Sequence, residues 1–311
     1  MKYIQNQIIE SRKLLPSTIA YSVVVWMLAG LLTQGWWLQF GLFLATALIV
    51  MLINNVNLLI RIYSRSVSAS FMMLSCSGVF LFPSLSGAFI QLCFATSFFT
   101  LFKAYQDRSG TGWVFYSFMC ISLASIADSF VLCYLPLFWI LMFFFVYAGS
   151  WRTFFASLFG VITPYWFLAC WMLWEYQEKM FDEVISRFSE LSFFVSDYTF
   201  SLQQLLLLGV LTVFGLIGTI HFLRQYYNDK IRVQQIYYGF IVMGASTIGM
   251  IFLLPQHYDM LIRMLIICVS PLIGHFLSLT HTKITNIAFF VITTAVLALT
   301  IFNLWTSSSV S

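Results

Sequence analysis

The sequence predicts an all-α polytopic membrane protein that crosses a bilayer about eleven times. Apolar residues occupy 61% of its 311 positions and charged residues only 8%, whereas soluble globular chains are roughly half apolar and a quarter charged. No water-soluble fold can hide this much apolar surface, so lipid must solvate most of it. The few charges are clustered and do not alternate along the chain, which argues against a β-barrel. Residues 1–311 are expected to form one transmembrane domain.

The length of the chain limits how many times it can cross. A span needs roughly 20 residues, so the sequence holds about ten to thirteen helices and no sizeable soluble domain. Apolar runs predict spans at 17–33, 40–60, 67–83, 84–104, 112–128, 130–149, 153–174, 202–223, 235–254, 260–280 and 284–305.

The segment 112–149 is the point at which the span count is open. It is too long for one span and contains Asp128 and Pro136, so we expect two short helices joined by a tight turn. A single long tilted helix is the alternative. That alternative would change the count and invert the topology of everything downstream.

The distribution of positive charge favours the split. With eleven spans and a cytoplasmic N-terminus, all but Lys179, Arg187 and Arg263 of the fifteen basic residues lie inside. A merged helix would place outside Arg152, Arg224, Lys230, Arg232 and Lys283. Because cytoplasmic loops carry an excess of Lys and Arg, the split is preferred. It predicts a multi-pass protein of the inner (cytoplasmic) membrane with an external C-terminus.

The long extramembrane stretch, 175–201, lies outside in this topology. Apolar residues recur in it at three- and four-residue intervals, and acidic residues that include Glu178 and Asp182 occupy much of the other face. This pattern predicts an amphipathic helix over about 177–195, lying in the membrane interface. The helix is either a simple connection or a lid, in which Glu178 and Asp182 would contact substrate.

Motifs of soluble enzymes and of metal sites are absent from the sequence. It contains no GxSxG, Walker loop, HExxH or zinc spacing, and its cysteines form no CxxC pair. We therefore expect no metal and no cofactor. His275 is expected to satisfy a local hydrogen bond. The net charge of +4 follows from the cytoplasmic loops and indicates no nucleic-acid partner.

The remaining ionisable groups gather at the external ends of the predicted helices. Asp128 lies at the turn between spans five and six, and His257, Asp259 and Arg263 lie at the start of span ten. With the acidic external helix they predict a polar cavity. In it, Arg263 and His257 would bind an anionic or sugar-like headgroup, and Asp128 or Asp259 would act as a catalytic base. The alternative is that Asp259 simply pairs with Arg263, whose guanidinium reaches the interface.

Two groups of polar residues mark the inner side. Arg61, Arg65 and Arg152 are candidates for binding lipid phosphates, since the guanidinium fork matches phosphate geometry. Topology marking explains them equally well. Asn54, Asn55 and Asn57 lie in span two, where a buried amide is costly unless paired, so we expect them to bridge to a neighbouring helix.

Residues 58–174 resemble the core of the polyprenol-dependent, multi-span glycosyltransferases, which share the GT-C fold. The likeness lies in the order of segments: a basic inner loop, a span ending in Phe80-Leu81-Phe82-Pro83, a short helix with Ser122-Leu123-Ala124-Ser125, and a span with Thr163-Pro164-Tyr165-Trp166. The resemblance implies a polyprenyl-phosphate-linked sugar as substrate. Residues 151–166 also resemble a family of Bacteroidetes inner-membrane proteins that has no function to carry over.

One departure from the glycosyltransferase pattern concerns catalysis. Active members carry an acidic residue in a sizeable first external loop, whereas Gln34–Gln39 is short and has no carboxylate. Either Asp128 or an acidic residue of 178–190 replaces it, or the protein is not an enzyme.

Three functions follow as hypotheses. The first is handling of polyprenyl-phosphate-linked sugars in cell-envelope glycan assembly. The second is a non-catalytic subunit or scaffold that associates with other envelope membrane proteins. The third, a transporter or flippase, is the weakest, because the sequence shows no inverted repeat and no matched pair of broken helices.

Overall fold

The computed structural model describes residues 4–62, 64–174, 199–280 and 282–308, and every regular element in these ranges is helical. The all-α class predicted from the sequence is confirmed. The predicted interfacial helix over about 177–195, with Glu178 and Asp182, lies outside the described residues.

The described residues form thirteen α-helices. The first seven are α1 (Ile4–Ile9), α2 (Leu14–Leu28), α3 (Leu31–Gln34), α4 (Trp37–Asn57), α5 (Ser66–Ser77), α6 (Leu85–Lys103) and α7 (Thr111–Ala127). The other six are α8 (Leu135–Ile140), α9 (Trp151–Trp174), α10 (Leu202–Gln225), α11 (Ile231–Leu253), α12 (Tyr258–Leu279) and α13 (Lys283–Ser308). A 3₁₀ segment, Ser129–Tyr134, precedes α8, and a π-helical turn, Leu141–Phe145, follows it.

Seven of these helices are long and apolar enough to cross a bilayer: α4, α6, α9, α10, α11, α12 and α13. The protein is therefore a helical, membrane-embedded protein. The predicted count of eleven spans goes further than this. At the other four predicted positions the apolar helical segments are shorter, namely Leu14–Leu28, Ser66–Ser77, Thr111–Ala127 and Ser129–Phe145, and a straight span needs roughly 20 residues.

A helix ends at Asp128, where the sequence predicts a turn. Helix α7 ends at Ala127, and the Asp128 carboxylate accepts a hydrogen bond from the Phe130 N–H at 3.0 Å, which caps the 3₁₀ segment. The Phe118 ring lies 6.4 Å from that of Phe138, so the chain folds back on itself around Asp128. Residues 112–149 are thus not a single tilted helix.

Helix α12 is the centre of the bundle. Every residue of this helix from Met260 to Phe276 is buried, and α5, α6, α10 and α11 pack around it. By contrast, α9 and α13 leave most of their apolar side chains exposed. A helix that is apolar all round belongs in the interior, whereas lipid covers the exposed apolar faces of peripheral helices.

Small residues allow the central helices to approach closely. At Gly218 of α10, an added Cβ would lie 2.7 Å from the backbone carbonyl carbon of Leu272 on α12. Gly209, on the same helix, has no atom within 4 Å of such a Cβ. Helices in membranes associate largely through this type of close packing.

We expect Gly218→Ala to destabilise the protein by about 1–3 kcal/mol, because its methyl group would push α10 away from α12. Gly209→Ala is the matched control, and it should leave stability unchanged or slightly raised, since Ala favours a helix over Gly. Thermal unfolding of the purified protein in detergent measures both. Equal stability of the two variants would contradict the packing argument.

Candidate functional site

The Asp259–Arg263 pair lies near the start of α12 and is turned inward. Arg263 Nε donates to Asp259 Oδ1 at 3.2 Å, and the two side chains are 6% and 42% exposed. Arg263 Nη2 donates to the Leu81 carbonyl, and Nη1 lies 3.5 Å from Gln91 Oε1. The pairing agrees with the simpler of our two expectations. The guanidinium, however, does not reach the interface, because protein acceptors hold it inside.

Asp259 is also tied to the start of α6. Ser84 caps that helix by accepting from the Gly87 N–H at 3.1 Å, and its hydroxyl donates to Asp259 Oδ2 at 2.8 Å. An added Cβ at Gly87 would lie only 2.2 Å from Asp259 Oδ2. The glycine therefore leaves room for the Asp259 carboxylate beside the start of α6.

The second pair near the start of α12 joins Asp128 to His257. Asp128 Oδ2 and His257 Nδ1 lie 3.0 Å apart, and their side chains are 23% and 18% exposed. The Phe130 ring packs against the imidazole, with ring centroids 3.6 Å apart. The structure thus brings together within each pair residues that the sequence grouped only by their end of a helix.

A third polar cluster is buried at the other end of α12. Asp229, in the loop between α10 and α11, places one carboxylate oxygen 3.0 Å from Arg61 Nε and the other 3.1 Å from His275 Nε2. The side chains of Asp229 and His275 are fully buried. His221 and Tyr237 flank His275, with ring centroids 5.4 and 4.9 Å away.

The sequence did not single out this cluster. Asp229 has the pattern of an ordinary loop carboxylate, and His275 was expected to make a local contact, yet its partner is 46 residues away. Arg61, a candidate for lipid phosphate, contacts Asp229 instead. The sequence did contain a signal for this cluster. His275 lies within a predicted span, and Asp229 is a loop carboxylate predicted on the same side of the membrane.

The expected asparagine bridge is confirmed for one residue. Asn57 Oδ1 accepts from Arg232 of α11 at 2.7 Å, and the same guanidinium donates to the Phe102 carbonyl at 3.0 Å. Asn54 instead donates to the Ser64 carbonyl at 3.2 Å, within the connection to α5. Asn55 is exposed, contrary to the expectation that it is a buried amide.

The loop after α6 contains an exposed carboxylate. The Ser109 hydroxyl and N–H donate to Asp107 at 2.6 and 2.9 Å. These hydrogen bonds lower the pKa of Asp107 below its usual value. The carboxylate stabilises a turn and is not aimed at a cavity.

An apolar cavity of about 380 Å³ opens among α1, α2, α5, α10, α12 and α13. Its lining includes Ile9, Ser66, Leu74, Phe214 and Val296. Along α5 it extends from Ser66 to Leu74, which corresponds to about 12 Å at 1.5 Å per residue. Ligand pockets typically measure about 300–1,000 Å³ and are mostly apolar.

Comparison with known proteins finds no match among family models, curated proteins or solved structures. The likeness to the multi-span glycosyltransferases therefore rests on the order of segments alone. In the described ranges, no three His, Cys, Asp or Glu side chains come together in a way that could hold a metal ion.

The candidate residues thus fall into separate places. Asp128 and His257 form one pair and Asp259 and Arg263 another, both at the start of α12. Two of the candidate lipid-phosphate arginines, Arg61 and Arg65, lie on the connection from α4 to α5. The third, Arg152, lies at the start of α9, which packs against α7.

We expect Asp229→Ala to destabilise the protein by roughly 2–3 kcal/mol. This is the lower range for breaking a buried pair, since Arg61 is 39% exposed and can be hydrated. Asn228→Ala, at the exposed neighbouring position, should change stability by less than about 0.5 kcal/mol. Thermal unfolding measures the stability of both variants. An unchanged unfolding temperature for Asp229→Ala would show that the cluster does not stabilise the end of the bundle that contains His275.

Proposed function

We propose that the protein binds a lipid phosphate of the polyprenyl-phosphate class, and that it handles such carriers of sugars in cell-envelope glycan assembly. The apolar cavity carries this proposal. Its length of about 12 Å along α5 is a little under half of the roughly 30 Å hydrocarbon core. A hydrocarbon chain in one leaflet matches this shape, and no polar metabolite would favour the apolar lining.

An arginine at one end of the cavity supports a phosphate headgroup. Ser66 lines the cavity and Arg65 directly precedes it, whereas Arg61, on the same connection, is paired with Asp229. Guanidinium groups bind phosphate oxygens in a fork. Arg152 is a weaker candidate, because α9 does not line the cavity. The order of segments in residues 58–174 supports the polyprenyl class.

The carboxylates that we propose to be external lie too far from the cavity to act directly on the same headgroup. Ile273 and Leu277 line the cavity near the end of α12, whereas His257 precedes its start. Sixteen residues or more separate them, which corresponds to about 24 Å along a helix. Binding of the lipid phosphate is therefore proposed as the primary function. Catalysis by Asp128 or Asp259 would need a second ligand at the other end.

Lipid retention tests the proposal. The protein, reconstituted in nanodiscs and analysed by native mass spectrometry, should retain undecaprenyl phosphate in preference to undecaprenol. Ala69→Phe, which fills the cavity, should reduce retention of the phosphate by about tenfold or more, since a blocked pocket loses at least ~1.4 kcal/mol of binding. Arg65→Ala should reduce the preference for the phosphate over the alcohol.

Ala298→Phe is the matched control, because Ala298 lies on the exposed face of α13 and does not line the cavity. It should retain the lipid as well as the unmodified protein. Equal retention by Ala69→Phe would overturn the assignment of the cavity.

We further propose eleven crossings of the inner membrane, with the N-terminus cytoplasmic and the C-terminus external. The distribution of basic residues supports it. The short α5 is buried within the bundle, and a segment surrounded by protein need not satisfy the length that lipid imposes.

Reporter fusions test the topology. Alkaline phosphatase fused after Arg65 should be inactive and green fluorescent protein there should fluoresce, because the eleven-span arrangement places this loop inside. Seven spans with the same N-terminus would place it outside. A fusion after Asn228 should also report the cytoplasm, which the merged 112–149 alternative would reverse. The opposite result at either position contradicts the proposed count.

A further inference from the structure

A second, much smaller cavity lies beside Arg263, away from the apolar one. It measures about 20 Å³ and is enclosed by residues of α2, α4, α5, α6 and α12 and of the 3₁₀ turn before α6. Four buried polar residues contribute to its lining, namely Trp26, Ser75, Gln91 and Arg263. Gln39 also lines it and makes a hydrogen bond to the Pro83 carbonyl at 3.3 Å.

Three of these side chains each have one polar atom that lacks a hydrogen-bond partner. Trp26 Nε1, Ser75 Oγ and Gln91 Nε2 are buried and make no hydrogen bond within the described part of the chain. The residues are only 2%, 7% and 4% exposed. A buried polar atom without a partner is costly, and nearly all such atoms in folded proteins are satisfied. Three of them around one cavity indicate that something occupies it.

The volume restricts the occupant to one small species. A polar cavity needs roughly 10–15 Å³ to hold a single water-sized molecule, so about 20 Å³ accommodates one and excludes a phosphate or a sugar.

The lining also indicates the charge of the occupant. The indole N–H, the amide NH₂ and the guanidinium can only donate hydrogen bonds. Gln91 Oε1 faces Arg263 Nη1 at 3.5 Å, which leaves the amide nitrogen as the free end of that side chain. A monatomic anion needs only donors, and the Ser75 hydroxyl, which can donate as well as accept, adds a fourth.

The positive charge of Arg263 also favours an anion as the occupant of the cavity. Its carboxylate partner, Asp259, does not line the cavity and is 42% exposed. We propose that this cavity binds a single halide-sized anion, with chloride as the physiological species. The anion would join α2, α5, α6 and α12 at the outer end of the bundle. This site is independent of the proposed lipid-phosphate function.

Thermal unfolding and diffraction test the site. The purified full-length protein should unfold at a temperature roughly 2–4 °C higher in sodium chloride than in sodium gluconate of equal ionic strength, since a ligand that binds only the folded state stabilises it. Crystals grown in sodium bromide should show an anomalous peak between Gln91 Nε2 and Trp26 Nε1.

Gln91→Leu removes one donor at similar volume and should abolish the chloride-dependent shift. Trp26→Phe is the second variant, and it keeps an aromatic ring against Phe82, which stacks on Trp26 with centroids 3.9 Å apart. Gln34→Leu, the same change at an exposed position outside the cavity, should keep the full shift. Identical unfolding in chloride and gluconate, or a cavity that holds water in the bromide crystals, would overturn the proposal.

Discussion

The burial of α12 is the constraint on which the rest of the structure depends. Every residue from Met260 to Phe276 is buried, so each polar group on this stretch must find its partner within the protein. Its apolar residues can face any neighbour. Its few polar residues cannot, and they determine which elements surround the helix and at which end.

The two ends of α12 satisfy this constraint in different ways. At the start, Asp259 and His257 bind the N-terminus of α6 and the turn after α7. At the end, His275 binds a loop carboxylate, which in turn pairs with the connection between α4 and α5. Both arrangements join segments that are distant in sequence. At the start of α12, groups that the sequence suggested as catalytic or substrate-binding make contacts within the bundle.

The two cavities show what the packing around α12 leaves unfilled. The larger cavity is apolar and extends about 12 Å along α5, so it is complementary to a hydrocarbon chain. The smaller has several hydrogen-bond donors in its lining and room for one atom or one water. Their chemistries differ because apolar side chains of six helices line the larger, whereas the smaller lies around a buried arginine.

The sequence by itself determined the membrane class, the end of a helix at Asp128, and the placement of four ionisable residues at one end of the bundle, namely Asp128, His257, Asp259 and Arg263. It could do so because hydropathy and charge position are local properties that lipid selects directly. Tertiary structure decided the rest. Asp229 meets His275 across 46 residues, and Arg263 turns inward to Gln91 across 172. Such pairs depend on which helices are neighbours, and apolar periodicity is nearly the same for every helix of a bundle. The cavities, too, exist only between helices and have no counterpart in any single segment.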